Sequence, residues 1–388
     1  MKKQYFSTIL AAACLLLPGC SNDNEPVNGG STTVEAVVGD SEVEIKLSSS
    51  SSGVSTRASI ESDEYLSFEA EGLGIFCVAK DKQNPEINPP APDIDWTRYT
   101  DPAKTDILMC NVPANAVMDS ILFAGDIYTS TSIVWADATA KYFYPISNWY
   151  KYRFFGYYPV QDDANVVVSP EEISVYMEID GHQDVLIGRT ILDEDKEYAY
   201  SAKYFRTEER EIPILAFMHR LNRFTFSVEA GADYSGSKAN ATRMSVKEIT
   251  LFDMPYKFEL IAAAQDLDYW GTIWYDGDEL KDFNLLEENG ELLEPVKVSE
   301  EGRTKVGDAL MVLSGLESYG IRVVLVDEDG NEFVSEYPLS ISEHLEGGTT
   351  EGGYSYNIHM TVYGPQEIKL NSVLIPWEIV ETDIPIEL

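Results

Sequence analysis

The chain contains few of the residues that enzymes use for catalysis and metal binding. Of its 388 residues, four are histidines and four are cysteines, and the histidines are widely separated. The sequence lacks a Gly-x-Ser-x-Gly turn, a phosphate-binding glycine loop and a His-Glu-x-x-His zinc motif. Acidic residues are so numerous that a pair of catalytic carboxylates would have no distinguishing signature. The sequence therefore predicts no enzymatic activity, no cofactor and no metal site.

Positive charge is also scarce. The chain has 28 Lys and Arg residues against 66 Asp and Glu residues, which gives a formal net charge of −38. A surface with this excess of carboxylates repels nucleic acid and anionic lipid, and its self-repulsion favours solubility. We expect no nucleic acid among its partners.

No apolar run is long enough to span a membrane as a helix. Met1-Lys2-Lys3 and the short apolar run Ile9–Leu17 have the pattern of a signal peptide. The following Leu17-Pro18-Gly19-Cys20 resembles the lipobox of bacterial lipoproteins. That resemblance implies a signal peptide over residues 1–20 and acylation of Cys20, whose two acyl chains, such as palmitate, would hold the protein at the cell outer membrane. The alternative is an ordinary signal peptide that is cut elsewhere, with Cys20 discarded.

Few cysteines remain beyond the signal. Cys77 and Cys110 both lie in apolar segments typical of strands, Gly74–Val78 and Ile107–Cys110. In an oxidising envelope they could form one disulfide. The apolar surroundings favour buried free thiols, and this is our prediction.

Residues 21–57 have the composition of a tether and prosegment. Ser21–Gly39 resembles a flexible spacer, and Glu42–Leu47 alternates charged and apolar residues as a half-buried strand does. We expect the serine run Ser48–Ser52 not to pack. Arg57 and Ala58 then follow in a loop suited to proteolysis, although a solvated loop arginine is an equal alternative.

The remainder is typical of an all-β protein. The 23 tyrosines and the 44% hydrophobic content favour strands around a substantial core. The aromatic segment Trp149–Pro159 alternates Tyr150, Tyr152 and Phe154 with basic residues, and Ile214–Val228 begins a second strong strand pattern. We place a domain boundary near residue 210, which predicts an N-terminal domain over residues 58–210 and a C-terminal domain over residues 211–388.

Three details of the second half carry expectations of their own. The apolar parity changes within Ile214–Val228, which predicts a bulge or bend near Asn222–Arg223. His219 lies on an apolar face, and we expect it to be a structural histidine with a satisfied side chain. Asp327–Asn331 predicts a hairpin between two strands, without calcium binding.

The C-terminal segment also alternates. A strand-like run ends at Trp377, and Ile384, Ile386 and Leu388 then alternate with polar residues. A strand with an apolar face needs a sheet to join, either in its own domain or in another subunit.

Four motifs together resemble the fimbrillin-like family, the type V pilins of Gram-negative bacteria. The motifs are the lipobox with the downstream Thr56-Arg57-Ala58, the aromatic Phe154-Phe155-Gly156-Tyr157-Tyr158-Pro159, the segment Phe217-Met218-His219-Arg220-Leu221, and the terminal Tyr356-Asn357-Ile358 with Ile368–Trp377. The resemblance implies two tandem transthyretin-like β-sandwich domains, export as a lipoprotein, cleavage after an arginine, and a head-to-tail fimbria built by strand exchange. Its partners would be other fimbrial subunits and, for adhesion, a ligand on a host or bacterial surface.

Carried over to this chain, the resemblance gives each segment a role. Cys20 would be acylated, the Arg57–Ala58 bond would be cleaved, and Glu42–Leu47 would be the removable strand. The candidate donor strand would carry Ile375, Trp377, Ile384, Ile386 and Leu388.

Two other functions stay open at this point. A monomeric outer-membrane lipoprotein that binds glycans is suggested by the aromatic residues around Trp135, Trp149, Trp270 and Trp274. An envelope hydrolase would require turnover of a glycan that depends on one carboxylate.

Overall fold

A computed structural model shows that the chain is an all-β protein, as the sequence predicts. It describes residues 43–51, 70–82, 92–100, 105–123, 126–146, 149–190, 200–207, 212–316, 318–339, 341, 352–365 and 367–375. Helix within these ranges is limited to short pieces, namely α1 (Ala202–Thr207) and the 3-10 turns Trp96–Thr100 and Asp163–Asn165. Among the described residues, no helix has the length and apolar character needed to cross a membrane.

The described strands range from 2 to 17 residues in length. In chain order they are β1 (Val43–Glu44), β2 (Leu47–Ser51), β3 (Ala70–Lys82), β4 (Ile107–Phe123), β5 (Asp126–Trp135), β6 (Phe143–Tyr144), β7 (Tyr150–Tyr158), β8 (Val166–Val168), β9 (Glu172–Glu178), β10 (Leu186–Thr190), β11 (Ile214–His219), β12 (Asn222–Ala230), β13 (Met244–Pro255), β14 (Lys257–Ala264), β15 (Ile273–Tyr275), β16 (Leu280–Asn284), β17 (Val296–Lys297), β18 (Thr304–Val312), β19 (Tyr319–Asp327), β20 (Glu332–Leu339), β21 (Ser355–Gly364) and β22 (Glu367–Ile375).

Seven of the described strands close into a ring, six from the first half and β11 from beyond residue 210. Their order is β10-β11-β2-β5-β4-β3-β7, and β7 pairs with β10 to complete it. β1 and β6 form a separate pair. A closed ring gives each of its strands two hydrogen-bonded neighbours and so removes free sheet edges.

The second half contains two sheets, with strand orders β18-β12-β21-β22 and β16-β13-β19-β20. Alternate side chains of β12 and β21, such as Phe224, Phe226 and Ile358, are buried in one large core together with Ile321 and Val323 of β19. Apolar residues at every second position are the pattern of a strand that covers a core with one face.

Three pairings cross the boundary that the sequence suggests near residue 210. β11 lies inside the ring between β10 and β2, and β9 pairs with β14 in a third sheet of order β15-β14-β9-β8. The two halves therefore share hydrogen-bonded sheet structure. The division into domains 58–210 and 211–388 stays a prediction.

The change of apolar parity in Ile214–Val228 is explained by a change of sheet. β11 ends at His219 in the ring, and β12 begins at Asn222 in the sheet with β18 and β21. Phe217 accordingly belongs to the buried cluster that includes Ile45 and Leu47, whereas Phe224 belongs to the large core that includes Ile321 and Val323. The predicted bend is confirmed. The hairpin is also confirmed, since β19 and β20 pair across the Asp327–Asn331 turn.

Candidate functional site: the seam filled by β2

Strand β2 fills the seam of the ring, by which we mean the space between β5 and β11. It runs antiparallel to β5, with Leu47 opposite Ile133, and parallel to β11, with Ser48 opposite Ile214. The Ser48 N–H donates to the Pro213 carbonyl at 3.0 Å. The ring is therefore closed by a strand that comes from the N-terminal segment.

The serine run is part of this strand. The expectation that the serine run does not pack is wrong for Ser48–Ser51, because all four residues pair with β11, Ser48 and Ser49 also pair with β5, and Ser49 is 6% exposed. Ser52 lies outside the described residues. Ladder hydrogen bonds use only backbone groups, and a small side chain fits between neighbouring strands without an apolar surface. The low hydrophobicity of the run therefore does not indicate whether it packs in a sheet.

The residues before β2 show the alternation that the sequence predicts. Ile45 and Leu47 are 1% and 3% exposed, whereas Lys46 between them is exposed. Val43 of β1 pairs with Tyr144, and the Ile45 N–H donates to the Tyr142 carbonyl at 2.8 Å. The predicted alternation of burial is thus confirmed for Ile45–Leu47, but the single strand is not, because Ile45 and Lys46 lie between two short strands, β1 and β2, that belong to different sheets. Glu42 lies outside the described residues.

The floor of the seam is apolar and aromatic. Ile45 and Leu47 share one buried cluster with Tyr144, Phe154 and Phe217. Tyr144 contacts the ring of Phe154 edge-on, with centroids 6.3 Å apart. Burial of each aliphatic side chain contributes about 1.5–3 kcal/mol, so the N-terminal segment covers a surface that is costly to expose.

The polar atoms in this floor stay uncharged. Burial raises the pKa values of the Tyr144 phenol and the Cys77 thiol well above their ordinary values, and it also raises the pKa of Tyr152. Loss of a proton would place a charge in an apolar cluster far from water. The floor therefore remains hydrophobic throughout the physiological pH range.

The two cysteines are free thiols, as predicted. Cys77 pairs with Met109 across β3 and β4, so the next residue, Cys110, faces the opposite side of the sheet. Cys77 is buried and Cys110 is half-buried. Burial and the nearby Asp163 carboxylate raise the pKa of Cys110 to about 11. Neither thiol has the character of a reactive nucleophile.

The sequence-predicted sites fall mostly outside the described residues. Ile375 is the last residue of β22, where it pairs with Ser355. β22 pairs only with β21 among the described strands, so its second edge has no described neighbour. The predicted sites outside the described residues are Cys20, Arg57, Ala58, Trp377, Ile384, Ile386 and Leu388.

The four tryptophans that suggested glycan binding do not form one cluster. Trp135 packs edge-on against Tyr142, and Trp149 contacts Tyr150. Trp270 lies under the guanidinium of Arg189, whose Cζ is 4.8 Å from the ring centroid. Trp274 is different, because 60% of its surface is exposed.

His219 has the structural role that the sequence predicts. Its Nδ1 lies 2.5 Å from Asp184 Oδ2, and the residue is 9% exposed.

The sequence reasoning missed a second histidine contact. His359 Nε2 lies 2.9 Å from Glu229 Oε1, and His359 Nδ1 lies 3.2 Å from Ser227 Oγ. Ser227 donates its own proton to Asn357 Oδ1 at 2.7 Å, so it is not activated as a nucleophile. This group is formed by residues on the parallel pair β12 and β21, far apart in sequence, and no local motif indicates it.

The sequence matches no protein-family model, and no curated protein matches it. Solved structures that match this chain include a candidate cell adhesion protein from Bacteroides uniformis, at 12% identity, covering 87% of this chain and 99% of that one, with a TM-score of 0.45. The fimbrial anchor protein Mfa2 from Porphyromonas gingivalis is 10% identical, over 86% of this chain and 99% of that one, with a TM-score of 0.34. A candidate cell adhesion protein from Parabacteroides distasonis is 10% identical, over 87% and 100%, with a TM-score of 0.38. Similarity at this level carries no conclusion about function.

Proposed function

We propose that the chain is a structural subunit of a cell-surface fimbria of the fimbrillin-like type, which polymerises by strand exchange. The observation that carries this proposal is the position of β2. This strand closes the ring, is hydrogen bonded on both sides, and belongs to the segment that precedes Arg57.

Cleavage after Arg57 would separate β1 and β2 from the rest of the chain. Loss of β2 would leave the facing edges of β5 and β11 with unpaired N–H and C=O groups. It would also uncover the apolar floor that Ile45 and Leu47 now occupy. An added strand satisfies both the backbone groups and the apolar surface, which is why such edges bind extended peptides.

The donated strand would come from the C-terminal segment of the next subunit. Ile384, Ile386 and Leu388 alternate as Val43, Ile45 and Leu47 do, so the same side-chain positions of the seam would be filled. Donor and acceptor surfaces differ, and such contacts extend head to tail into an open filament.

Export as a lipoprotein is consistent with this order of steps, in which cleavage precedes polymerisation. Acylation of Cys20 would hold the precursor at the outer membrane until the cut after Arg57 separates the lipid-bearing segment from the subunit. The mature subunit would then lie on the cell surface, where a fimbria serves adhesion.

The proposal is tested by proteolysis of the purified chain without its signal peptide. A trypsin-like protease is expected to cut after Arg57 and to give a product that begins at Ala58, identified by mass spectrometry. Size-exclusion chromatography and unheated SDS gels should then show ladders of polymers.

The test variant is Arg57→Ala. Its matched control is Arg303→Ala, which removes an exposed arginine of the second half. Arg57→Ala should abolish both the cut and the ladders, and Arg303→Ala should change neither. Resistance of wild-type Arg57 to cleavage, or a cut product that stays monomeric, would refute strand exchange for this chain.

A further inference from the structure

One exposed sheet face presents two aromatic rings on either side of a carboxylate. Trp274 of β15 is directly opposite Glu259 of β14, and Glu259 is directly opposite Tyr176 of β9. Trp274 is 60% exposed and Tyr176 is 47% exposed. We call Trp274, Glu259 and Tyr176 the aromatic row.

The opposite face of the same strands is anchored in the core. Leu260 and Val175 are fully buried, and Ile273 packs against the same cluster. Because side chains alternate along a strand, burial of these neighbours directs the aromatic row toward solvent. The row is therefore held on a rigid support, and little ordering is needed when a ligand binds.

The geometry of the row fits a chain of sugar rings. Neighbouring strands lie about 4.8 Å apart, so positions 176 and 274, two strands apart, are separated by roughly 10 Å. One pyranose unit of an extended β-linked chain has a length close to one strand spacing. Aromatic rings at this separation can contact alternate sugars through their apolar faces, with the hydroxyl groups of the sugar between them facing Glu259.

The charges around the aromatic row favour neutral glycans over anionic ones. Glu259 has no hydrogen-bond or ion-pair partner within the described part of the chain, so its carboxylate can accept hydrogen bonds from hydroxyls. The nearby Lys257 ammonium is already shared by Glu178 and Glu279, at 3.6 Å and 3.2 Å. With a net charge of −38 in addition, the face opposes anionic polysaccharides.

From these observations we infer that the aromatic row is a binding site for a neutral, β-linked oligosaccharide. Trp274 and Tyr176 stack on alternate sugar rings, and Glu259 accepts hydrogen bonds from the ring between them. The inference goes beyond the proposed assembly role, because the sheet that carries the row contains neither β2 nor β22.

The test uses the uncleaved monomer without its signal peptide. Isothermal titration calorimetry and tryptophan fluorescence are measured with four neutral β-linked probes, namely cellohexaose, laminarihexaose, xylohexaose and fully N-acetylated chitohexaose. Maltohexaose, whose α-linked chain coils, serves as the contrast. We expect binding of at least one β-linked probe, quenching or blue shift of tryptophan emission, and weaker binding of maltohexaose.

Variants locate the binding. Trp274→Ala and Tyr176→Ala should each weaken binding by roughly tenfold, the scale of one lost aromatic contact. Glu259→Gln should weaken it less, because an amide still accepts one hydrogen bond. The control is Tyr234→Ala, which removes a fully exposed tyrosine in the loop between β12 and β13 and should leave affinity unchanged. Unchanged thermal unfolding verifies that the variants fold.

Three results would overturn the inference. They are no binding of any β-linked probe at millimolar concentration, affinity unchanged by both Trp274→Ala and Tyr176→Ala, or a wild-type oligomer that Trp274→Ala converts to monomer. The last result would show that the face contacts protein. None of them bears on cleavage or polymerisation, which are measured separately.

Discussion

The ring of Phe217 lies directly against Gly156, so that a methyl group at Gly156 would come within 2.7 Å of it. The same ring would be 2.8 Å from a methyl group at Gly188, which pairs with Gly156 across β7 and β10. Phe217 thus fills the space that two glycines on neighbouring strands leave open. Two of the motifs that suggested the fimbrillin-like family, far apart in the sequence, meet at this point in the floor of the seam.

Substitution of Gly188 by alanine is expected to destabilise the protein. The added methyl group cannot be accommodated without moving Phe217, and overpacking of this kind costs about 1–3 kcal/mol. Urea unfolding should therefore show a lower midpoint with an unchanged slope. Gly277→Ala is the matched control, because a methyl group there meets nothing within 4 Å. Equal stability of the two variants would mean that Phe217 moves aside freely.

Leu47→Ala should weaken the hold of the N-terminal segment on the ring. Leu47 is 3% exposed, and truncation of a buried leucine costs about 2–5 kcal/mol. We expect lower stability of the uncleaved chain in urea and faster loss of residues 21–57 after proteolysis. Lys46→Ala, at the exposed position next to it, should behave like wild type. An unaffected Leu47→Ala chain would show that β2 contributes little to closing the ring.

Deletion of Ile384–Leu388 should leave a folded monomer that can be cleaved after Arg57 but cannot extend a filament. The physical reason is that the deleted segment would supply the apolar side chains for the seam of the next subunit. Size-exclusion chromatography after proteolysis measures the outcome. A mixture with full-length subunits should give short chains that stop at the truncated protein. Normal ladders from the truncated protein alone would show that another segment supplies the donor strand.

The contact between Glu229 and His359 makes stability depend on pH in the acidic range. The imidazole of His359, whose Nε2 lies 2.9 Å from the carboxylate, is the main cause that holds the pKa of Glu229 below its ordinary value of 4.5. The unfolded chain therefore binds a proton more readily than the folded one. The stabilisation is fully present above pH 4.5 and is lost as the pH falls through the lower folded-state pKa.

Glu229→Gln should flatten this part of the pH profile. The free energy of unfolding, measured in urea between pH 3 and pH 7, should fall less steeply below about pH 4.5 for the variant than for wild type. Glu301→Gln, at an exposed turn position, is the control and should keep the wild-type profile. Parallel profiles for Glu229→Gln and wild type would show that this carboxylate does not contribute to the pH dependence of stability.

The local patterns of the sequence determined the fold class and several individual elements. Alternation predicted the burial of Ile45 and Leu47, and Asp327–Asn331 predicted the hairpin, because both depend on neighbours within a few residues. The apolar parity around Asn222 predicted the bend. His219 was expected to be satisfied, and Asp184 is its partner.

Only the tertiary structure decided which strands are neighbours. The serines of β2 lie in the ring because β5 and β11 offer hydrogen bonds on both sides, and nothing within the serine run indicates this. β11 joins the ring from beyond residue 210 for the same reason. The row of Trp274, Glu259 and Tyr176 also depends on register between distant strands. Register is set by the packing of whole sheet faces, and a local sequence pattern does not contain it.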